Sequence, residues 1–262
     1  SGMLFALPLL ETDSKIKLTK KLSSKGYVNM TLSMLERFGI QIDYLADAGE
    51  FLIPGNQHYK PFDYRIEGDY SSAAFWLCAC AMGSEVLSLG LDVKSLQADR
   101  VFLNILSRMG AKIIKQGNGL KIRKDSPLKE VTINVDGAPD LMPILAVLAT
   151  SLEGITQLSG IDRLKYKETD RVKTTMNMIT SLGGDIVKMS DKLIVRGEGK
   201  LKGGTVHTGE DHRIAMAAAI ASVICKNNVV ITHADCVNKS YPLFWEDFKK
   251  VGGEIEEYYM DR

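Results

Sequence analysis

The sequence lacks the features that mark several specialised classes of protein. Its 262 residues include only four cysteines, four histidines and two tryptophans. The spacing of the cysteines and histidines does not match a zinc-ligand pattern, so we expect no metal site and buried structural thiols. Unpaired thiols favour a reducing, cytoplasmic compartment. No apolar run approaches the ~20 residues that a membrane-spanning helix needs.

Charge excess and nucleotide-binding signatures are missing as well. The 33 basic and 32 acidic residues give a net charge of +1. This balance offers no electrostatic reason to expect nucleic acid or an anionic membrane as a partner. The glycines match neither a dinucleotide-binding nor a phosphate-binding loop, and no serine hydrolase elbow is found. We therefore expect no bound cofactor.

What the sequence does contain is an internal repeat. Four times an apolar helical segment ends at a glycine that precedes a short β-branched segment. These glycines, which lie 71, 73 and 69 residues apart, are Gly39, Gly110, Gly183 and Gly252. A second marker keeps the same spacing, because an aspartate opens an apolar helical segment every 71 residues. These aspartates are Asp69, Asp140 and Asp211. The first copy has no such aspartate and is expected to lack its beginning.

Each full copy is predicted to run strand, helix, strand, helix, strand, strand, which indicates an α/β fold with mixed sheets. The helices that follow the aspartates are apolar on all sides and should be central, while the second helices are amphipathic and should cover the surface. Three predicted elements are tested below: a strand at Phe62–Glu67, a helix at Lys167–Leu182 and a final strand at Glu254–Tyr259. A domain boundary is expected near Gly68.

Two charged segments could bind an anion. Lys167 and Arg171 are four residues apart in the predicted helix, where like charges repel unless an anion lies between them. Arg213 follows Asp211 in the first turn of another helix, where the helix dipole disfavours a cation. A bound anion would explain both choices. The simpler interpretations are a solvated helix start for the first segment and an ordinary helix cap for Asp211.

Two further residues are weaker candidates from the pattern alone. Asp140 follows a proline and could be an ordinary cap, although the repeat places it equivalently to Asp211. Lys239, in the segment Asn238–Pro242, is a single loop lysine that would usually be solvated. Together the cations and the two carboxylates suit a small substrate with several negative charges.

The motifs resemble those of one known family. Lys167-Glu168-Thr169-Asp170-Arg171, Asp211-His212-Arg213 and Glu67-Gly68-Asp69 look like those of the 3-phosphoshikimate 1-carboxyvinyltransferases, or EPSP synthases. Ser71-Ser72, Ser95-Leu96-Gln97-Ala98-Asp99, Pro139-Asp140 and Asn238-Lys239-Ser240-Tyr241-Pro242 fit the same family. The similarity runs in order from about residue 3 to the end of the chain.

The resemblance implies an architecture. Members have two domains of βαβαββ units with threefold pseudo-symmetry, an inside-out α/β barrel. Residues 1–67 would be the last unit of one domain, and residues 68–262 most of the other. Family elements that would precede residue 1 have no counterpart, so the resemblance implies a C-terminal portion that is inactive alone. A monomer is expected.

The resemblance also implies a reaction and roles. The family transfers the enolpyruvyl group of phosphoenolpyruvate to the 5-hydroxyl of shikimate 3-phosphate and releases phosphate. Asp140 would be the base, Glu168 would transfer a proton to the methylene carbon, and Lys167 would assist. The residues that would bind phosphoenolpyruvate are Arg171, Arg213 and Lys239. Those that would bind shikimate 3-phosphate are Ser24, Tyr27, Asp140 and Lys167.

Two positions depart from the family pattern. Gly26 stands where members usually have proline, and Arg163 where many have a neutral or acidic residue. Two alternatives remain open from the sequence: a UDP-N-acetylglucosamine enolpyruvyl transferase of the same fold, or a non-catalytic α/β repeat scaffold. The Lys167–Arg171 segment argues against the first.

Overall fold

The structure is a computed structural model that describes residues 1–20, 22 and 25–258. Within these residues the α-helices are α1 (Gly2–Ala6), α2 (Lys25–Arg37), α3 (Tyr70–Met82), α4 (Val101–Arg108), α5 (Met142–Thr150), α6 (Arg171–Ser181), α7 (His212–Ala221) and α8 (Phe244–Lys250). The strands are β1 (Ser14–Lys17), β2 (Asp43–Leu45), β3 (Glu50–Ile53), β4 (Ser88–Leu89), β5 (Lys112–Gln116), β6 (Gly119–Arg123), β7 (Thr132–Asn134), β8 (Glu153–Ser159), β9 (Asp185–Met189), β10 (Lys192–Glu198), β11 (Gly204–His207) and β12 (Val229–Thr232). The mixture of helices and sheets matches the predicted α/β class.

Three apolar helices form the centre of the larger part of the molecule. Every residue of α5 is buried, as are nearly all residues of α3 and α7, and each of the three helices contacts the other two. A helix that is apolar all round can be stable only when other elements cover every side of it. The repeat therefore places its equivalent helices around a common centre, as the sequence predicted.

The third copy of the repeat is complete. β7 pairs in parallel with β8, and α5 provides the crossover between them. β10 pairs antiparallel with both β8 and β9, so the sheet order is β7-β8-β10-β9. The other sheets have the orders β4-β6-β5, β11-β12 and β1-β3-β2, and β11 and β12 are parallel. The predicted βαβαββ pattern is thus realised in full once and in part elsewhere.

Two predicted strands are wrong. Residues 62–67 and 254–258 form no strand, and most of them are exposed; Tyr259 lies outside the described residues. Both segments have suitable β-forming residues, but a strand exists only where its backbone finds a partner. Just after the first segment, the backbone N–H of Gly68 donates to the carbonyl of Gly90 at 2.8 Å.

The predicted helix at Lys167–Leu182 begins later than expected. It starts at Arg171, because the side chain of Asp170 accepts a hydrogen bond from the backbone N–H of Lys173 and caps the first turn. Residues Asp162–Tyr166 form a separate 3₁₀ helix. Lys167 therefore lies in the connection before α6, which changes how it meets Arg171.

The buried apolar residues form two separate cores. The smaller core contains five buried residues: Leu4, Leu35, Ile40, Phe51 and Ile53. The residues of the larger core lie between Tyr70 and Phe244 in the chain. A Gly-containing connection around Gly68 joins the parts that hold these cores. Among the described residues, no helix combines the length and apolar character that crossing a membrane requires.

Candidate functional site

The site is built around a buried arginine. Arg171, the first residue of α6, has no exposed side-chain surface. Its Nε donates to Oδ2 of Asp211 at 2.9 Å, and its Nη1 donates to Oδ1 of Asp140 at 2.7 Å. Its Nη2 donates to Asp211 at 3.2 Å and to Glu168. A buried guanidinium requires such compensation, because removing an isolated charge from water is very unfavourable.

Three more cations complete the cluster. Lys167 Nζ lies 3.1 Å from Oδ1 of Asp140, and Arg213 Nη2 lies 3.3 Å from its Oδ2. Lys239 Nζ lies 3.4 Å from Oε1 of Glu168. Four cations and three carboxylates thus form one connected network. All residues that the sequence proposed as catalytic or phosphoenolpyruvate-binding are in it.

The repeat explains why the network forms. Asp211 caps α7 by accepting from the backbone N–H of Arg213 at 3.0 Å. Because α5 and α7 pack against each other, their first residues lie close together. Asp140 lies in the 3₁₀ turn Pro139–Leu141 that leads into α5 and makes no cap bond. Its carboxylate binds cations instead, so the simple cap interpretation of Asp140 is wrong.

Lys167 and Lys239 are placed differently from what the sequence predicts. Lys167 and Arg171 do not stand side by side on one helix, since only Arg171 is helical. They meet because both contact the same oxygen of Asp140, and this carboxylate balances their like charges. Lys239, expected to be solvated, ends the 3₁₀ helix Ala234–Lys239 and pairs with Glu168 although 58% of its side chain is exposed.

Opposing influences set the pKa values of the acids. Burial would raise the pKa of Asp140, but the charges of Arg213, Lys167 and Arg171 outweigh it and lower that pKa. Burial likewise would raise the pKa of Glu168, but a hydrogen bond from its own backbone, followed by the charges of Arg171 and Lys239, outweighs burial and lowers that pKa. Both groups are therefore carboxylates at neutral pH in this arrangement.

Tyr27, in the smaller part of the molecule, lies near enough to this network for the charge of Asp140 to affect its pKa. It lies in the first turn of α2 and is half-buried. Burial, followed by the negative charges of Asp99 and Asp140, raises its pKa, so its hydroxyl keeps its proton. Ser24, the other residue predicted to hold the 3-phosphate, lies outside the described residues.

Sequence reasoning did not assign two acidic residues to the site. For Asp211 the pattern predicts a cap, and its equivalence to Asp140 is the signal that indicates a shared site. Asp99 belongs to a segment that resembles the family, but the sequence predicts no role for it, because its contact depends on folding: its Oδ2 accepts from Ser71 Oγ at 2.5 Å, and only 2% of the residue is exposed. No three His, Cys, Asp or Glu side chains among the described residues are arranged to hold a metal ion.

The fold and the network together define an α/β repeat protein whose site presents fixed cations beside carboxylates. The sequence profile of the family described as EPSP synthase (3-phosphoshikimate 1-carboxyvinyltransferase) matches residues 1–248, and the chain belongs to this family.

Its curated relatives carry the same description. A 3-phosphoshikimate 1-carboxyvinyltransferase of Clostridium kluyveri is 46% identical over 258 residues, which are 98% of this chain and 60% of the relative. One of Clostridium perfringens is 48% identical over 257 residues, with the same coverage of both chains. The chain therefore spans about 60% of the length of these relatives.

A solved structure agrees with the fold. The structure of EPSP synthase from Acinetobacter baumannii superposes with a TM-score of 0.80 at 24% sequence identity. The superposition covers 96% of this chain and 59% of that one. The similarity confirms the enolpyruvyl transferase type of fold.

Proposed function

We propose that this chain carries part of the site that transfers the enolpyruvyl group of phosphoenolpyruvate to the 5-hydroxyl of shikimate 3-phosphate, with release of phosphate. Membership of the family supports this, and one observation carries it. Arg171, Arg213, Lys167 and Lys239 converge on three carboxylates in a single network. Such an array suits a substrate that bears both a phosphate and a carboxylate.

Substrate binding exchanges ion pairs within this network. In the present arrangement, every nitrogen of the Arg171 guanidinium donates to a carboxylate. The anionic groups of phosphoenolpyruvate take over donors of Arg171, Arg213 and Lys239 that Asp140 and Glu168 now hold. Asp211 stays paired with Arg171, since neither side chain is exposed and their contact fixes the guanidinium.

The exchange prepares Asp140 and Glu168 for proton transfer. Once their cationic partners turn to the substrate, burial becomes the main influence and raises both pKa values. Asp140 then accepts the proton of the 5-hydroxyl as that oxygen bonds to C2 of phosphoenolpyruvate, and Glu168, protonated once its pKa is raised, donates its proton to the methylene carbon. Phosphate leaves the resulting adduct with the proton held by Asp140, and Glu168 takes a proton back from the new methyl group, which restores the double bond. Lys167 stays beside Asp140 and balances its charge, while Ser24 and Tyr27 bind the phosphate of shikimate 3-phosphate.

We infer a two-part organisation and an inactive isolated chain. The separate cores support a boundary between residues 67 and 68, with residues 1–67 forming a unit of one domain and residues 68–262 most of the other. Because the chain spans about 60% of its relatives, it supplies only part of a complete site. The four free cysteines fit a reducing, cytoplasmic compartment. We expect the chain to be a monomer.

A chimera tests the proposed activity. This chain replaces the matching portion of the Clostridium perfringens relative, and phosphate release is measured with both substrates. We expect turnover that requires both substrates, and none from this chain alone. Arg171→Lys in the chimera should lower kcat/KM at least about 100-fold, because a lysine cannot replace the planar guanidinium and its several fixed donors.

A matched substitution controls for general damage. Arg196→Lys changes an exposed arginine whose contact with Asp185 is 3.7 Å, and it should leave kcat/KM unchanged. A folded chimera without turnover, or one in which Arg171→Lys behaves like Arg196→Lys, would refute the proposal.

A further inference from the structure

The hydroxyl of Thr169 lies beside the buried pair of Arg171 and Asp211. Its Oγ1 donates to Oδ2 of Asp211 at 3.1 Å, and the same oxygen accepts from Nε of Arg171 at 2.9 Å. The other oxygen, Oδ1, accepts from the backbone N–H of Arg213 at 3.0 Å and from Nη2 of Arg171 at 3.2 Å. Each oxygen of this carboxylate therefore has one donor on the guanidinium and one donor elsewhere in the chain.

A second hydroxyl supports the first. Oγ1 of Thr174, in the first turn of α6, lies 3.0 Å from Oγ1 of Thr169 and 3.3 Å from the carbonyl oxygen of Asp170. That carbonyl already accepts the backbone N–H of Thr174 at 2.9 Å. A hydroxyl has a single proton, and a carboxylate is a stronger acceptor than another hydroxyl. Thr169 therefore gives its proton to Asp211 and accepts from Thr174, so the two bonds point the same way and strengthen each other.

The methyl groups of the two threonines fix the direction of their hydroxyls. Gly209 precedes Asp211 by two residues, and a Cβ added there would lie 3.3 Å from Cγ2 of Thr169 and 3.8 Å from Cγ2 of Thr174. Both methyl groups thus lie against the loop that leads to Asp211. Because a β-branched side chain has few χ1 rotamers, the position of the methyl group also determines where the hydroxyl points.

Arg171 depends on this arrangement most when substrate binds. Two of its carboxylate partners, Asp140 and Glu168, give up donors to phosphoenolpyruvate in the function proposed above. Asp211 then remains as the partner that orients the guanidinium. A backbone N–H holds one oxygen of Asp211 and Thr169 holds the other. Two fixed oxygens set the plane of the carboxylate, and with it the plane of the guanidinium that binds both of them.

We propose that Thr169 is a positioning residue, which sets through Asp211 the orientation in which Arg171 meets the anionic groups of phosphoenolpyruvate. Thr174 supports this role by donating to the hydroxyl oxygen of Thr169. Small errors in orientation matter, since a displacement of about 1 Å can lower a rate about 100-fold. The effect on phosphoenolpyruvate rests on the proposed function, whereas the positioning of Arg171 does not.

The positioning is tested by NMR on the full chain, without any need for turnover. The Nε–H of Arg171 is buried and hydrogen-bonded, so its exchange with water should be slow in the wild type. Thr169→Val keeps nearly the same shape but removes the hydroxyl, and it should speed this exchange at least about tenfold. Thr169→Ser restores the hydroxyl without the methyl group and should stay within about threefold of the wild type.

Thr175→Val is the matched control. Thr175 lies in the same helix, and its buried Oγ1 has no hydrogen-bond partner among the residues that the structure describes. Its removal should leave the exchange of the Arg171 Nε–H unchanged. Thr174→Val removes only the supporting bond and should speed the exchange about two- to fourfold, which gives a second reading if Thr169→Val does not fold. Exchange as slow in the Thr169 and Thr174 variants as in the control would overturn the proposal.

The chimera described above tests the consequence for substrate binding. Thr169→Val should raise the KM for phosphoenolpyruvate at least about tenfold and change the KM for shikimate 3-phosphate less than about twofold, whereas general damage would alter both and lower kcat. Faster exchange at Arg171 with both KM values unchanged would refute the role in substrate binding. A folded chimera without turnover would refute the proposed reaction, and the exchange of the Arg171 Nε–H would still decide the positioning.

Discussion

Arg171 and Asp211 lie 40 residues apart in the chain, yet the Nε of the arginine donates to Oδ2 of the aspartate at 2.9 Å and neither side chain has exposed surface. The pair joins the start of α6 to the start of α7. Asp211 also caps the start of α7, so one carboxylate both stabilises a helix and holds the arginine of the site. Stability and site geometry therefore depend on the same contact.

Breaking this pair should strongly destabilise the fold. Asp211→Ala leaves Nε of Arg171 buried without its partner, which costs about 3–5 kcal/mol in comparable buried pairs. It also removes the cap of α7, worth a further ~1 kcal/mol. Urea unfolding followed by circular dichroism measures the loss. Asp185→Ala, at an exposed and long ion pair, should change stability by less than about 0.5 kcal/mol. Equal effects of the two substitutions would show that the buried pair is not important.

The spacing of the repeat made part of this site predictable. Asp140 and Asp211 were equivalent by sequence, and equivalent helix starts do meet around the central helices. The segment 62–67 shows the limit of such reasoning, because its residues favour a strand but no partner strand pairs with it. Asp99 shows another limit. Its contact with Ser71 joins residues 28 positions apart, and nothing local in either segment indicates it.

Stability should depend on pH through Asp99. Burial raises the pKa of Asp99 in the folded protein above the value near 3.9 of an unfolded chain. Between these two values the folded state binds more protons than the unfolded state. Stability therefore falls as the pH rises through that window, and the cost remains at higher pH.

Asp99→Asn isolates this contribution. The difference in unfolding free energy between the variant and the wild type should move in favour of the variant as the pH rises from about 4. A pH-independent effect of the new amide on stability shifts this difference by a constant, so it does not change the slope of the difference against pH. Urea titrations at several pH values supply the data. A difference that stays flat with pH would mean that Asp99 titrates normally.

An aromatic cluster links the second copy of the repeat to the fourth, and its polar contacts should be measurable. The hydroxyl of Tyr241 donates to Oδ2 of Asp247 at 2.7 Å and accepts from Nε1 of Trp76 at 3.2 Å. Tyr241→Phe keeps the ring but removes the hydroxyl. Trp76 and Asp247 then each lose a hydrogen-bond partner, at a cost of about 1–3 kcal/mol. Tyr166→Phe, at a largely exposed tyrosine, is the control for thermal unfolding. If both variants melt like the wild type, the bridge adds no stability.

The close approach of α2 to the segment that carries Asp99 should respond to single methyl groups. A Cβ added at Gly26 would lie 3.1 Å from Cβ of Ala98, which is closer than side chains normally pack. Gly26 is the second residue of α2, so an alanine there would gain up to about 1 kcal/mol of helix propensity if space allowed. Against this gain, overpacking of a tight contact typically costs about 1–3 kcal/mol.

A double-mutant cycle separates these effects. Gly26→Ala should destabilise the wild-type chain or leave it unchanged, but it should stabilise the Ala98→Gly chain, in which the opposing methyl group is gone. We expect a coupling energy of at least about 0.5 kcal/mol between the two positions, which is the range for residues in direct contact. Unfolding free energies of the four chains provide the measurement. Because Tyr27 follows Gly26, the same contact holds its hydroxyl near Asp99 and Asp140. Additive effects would show that α2 does not press against this segment, and Tyr27 would then need another support to reach the site.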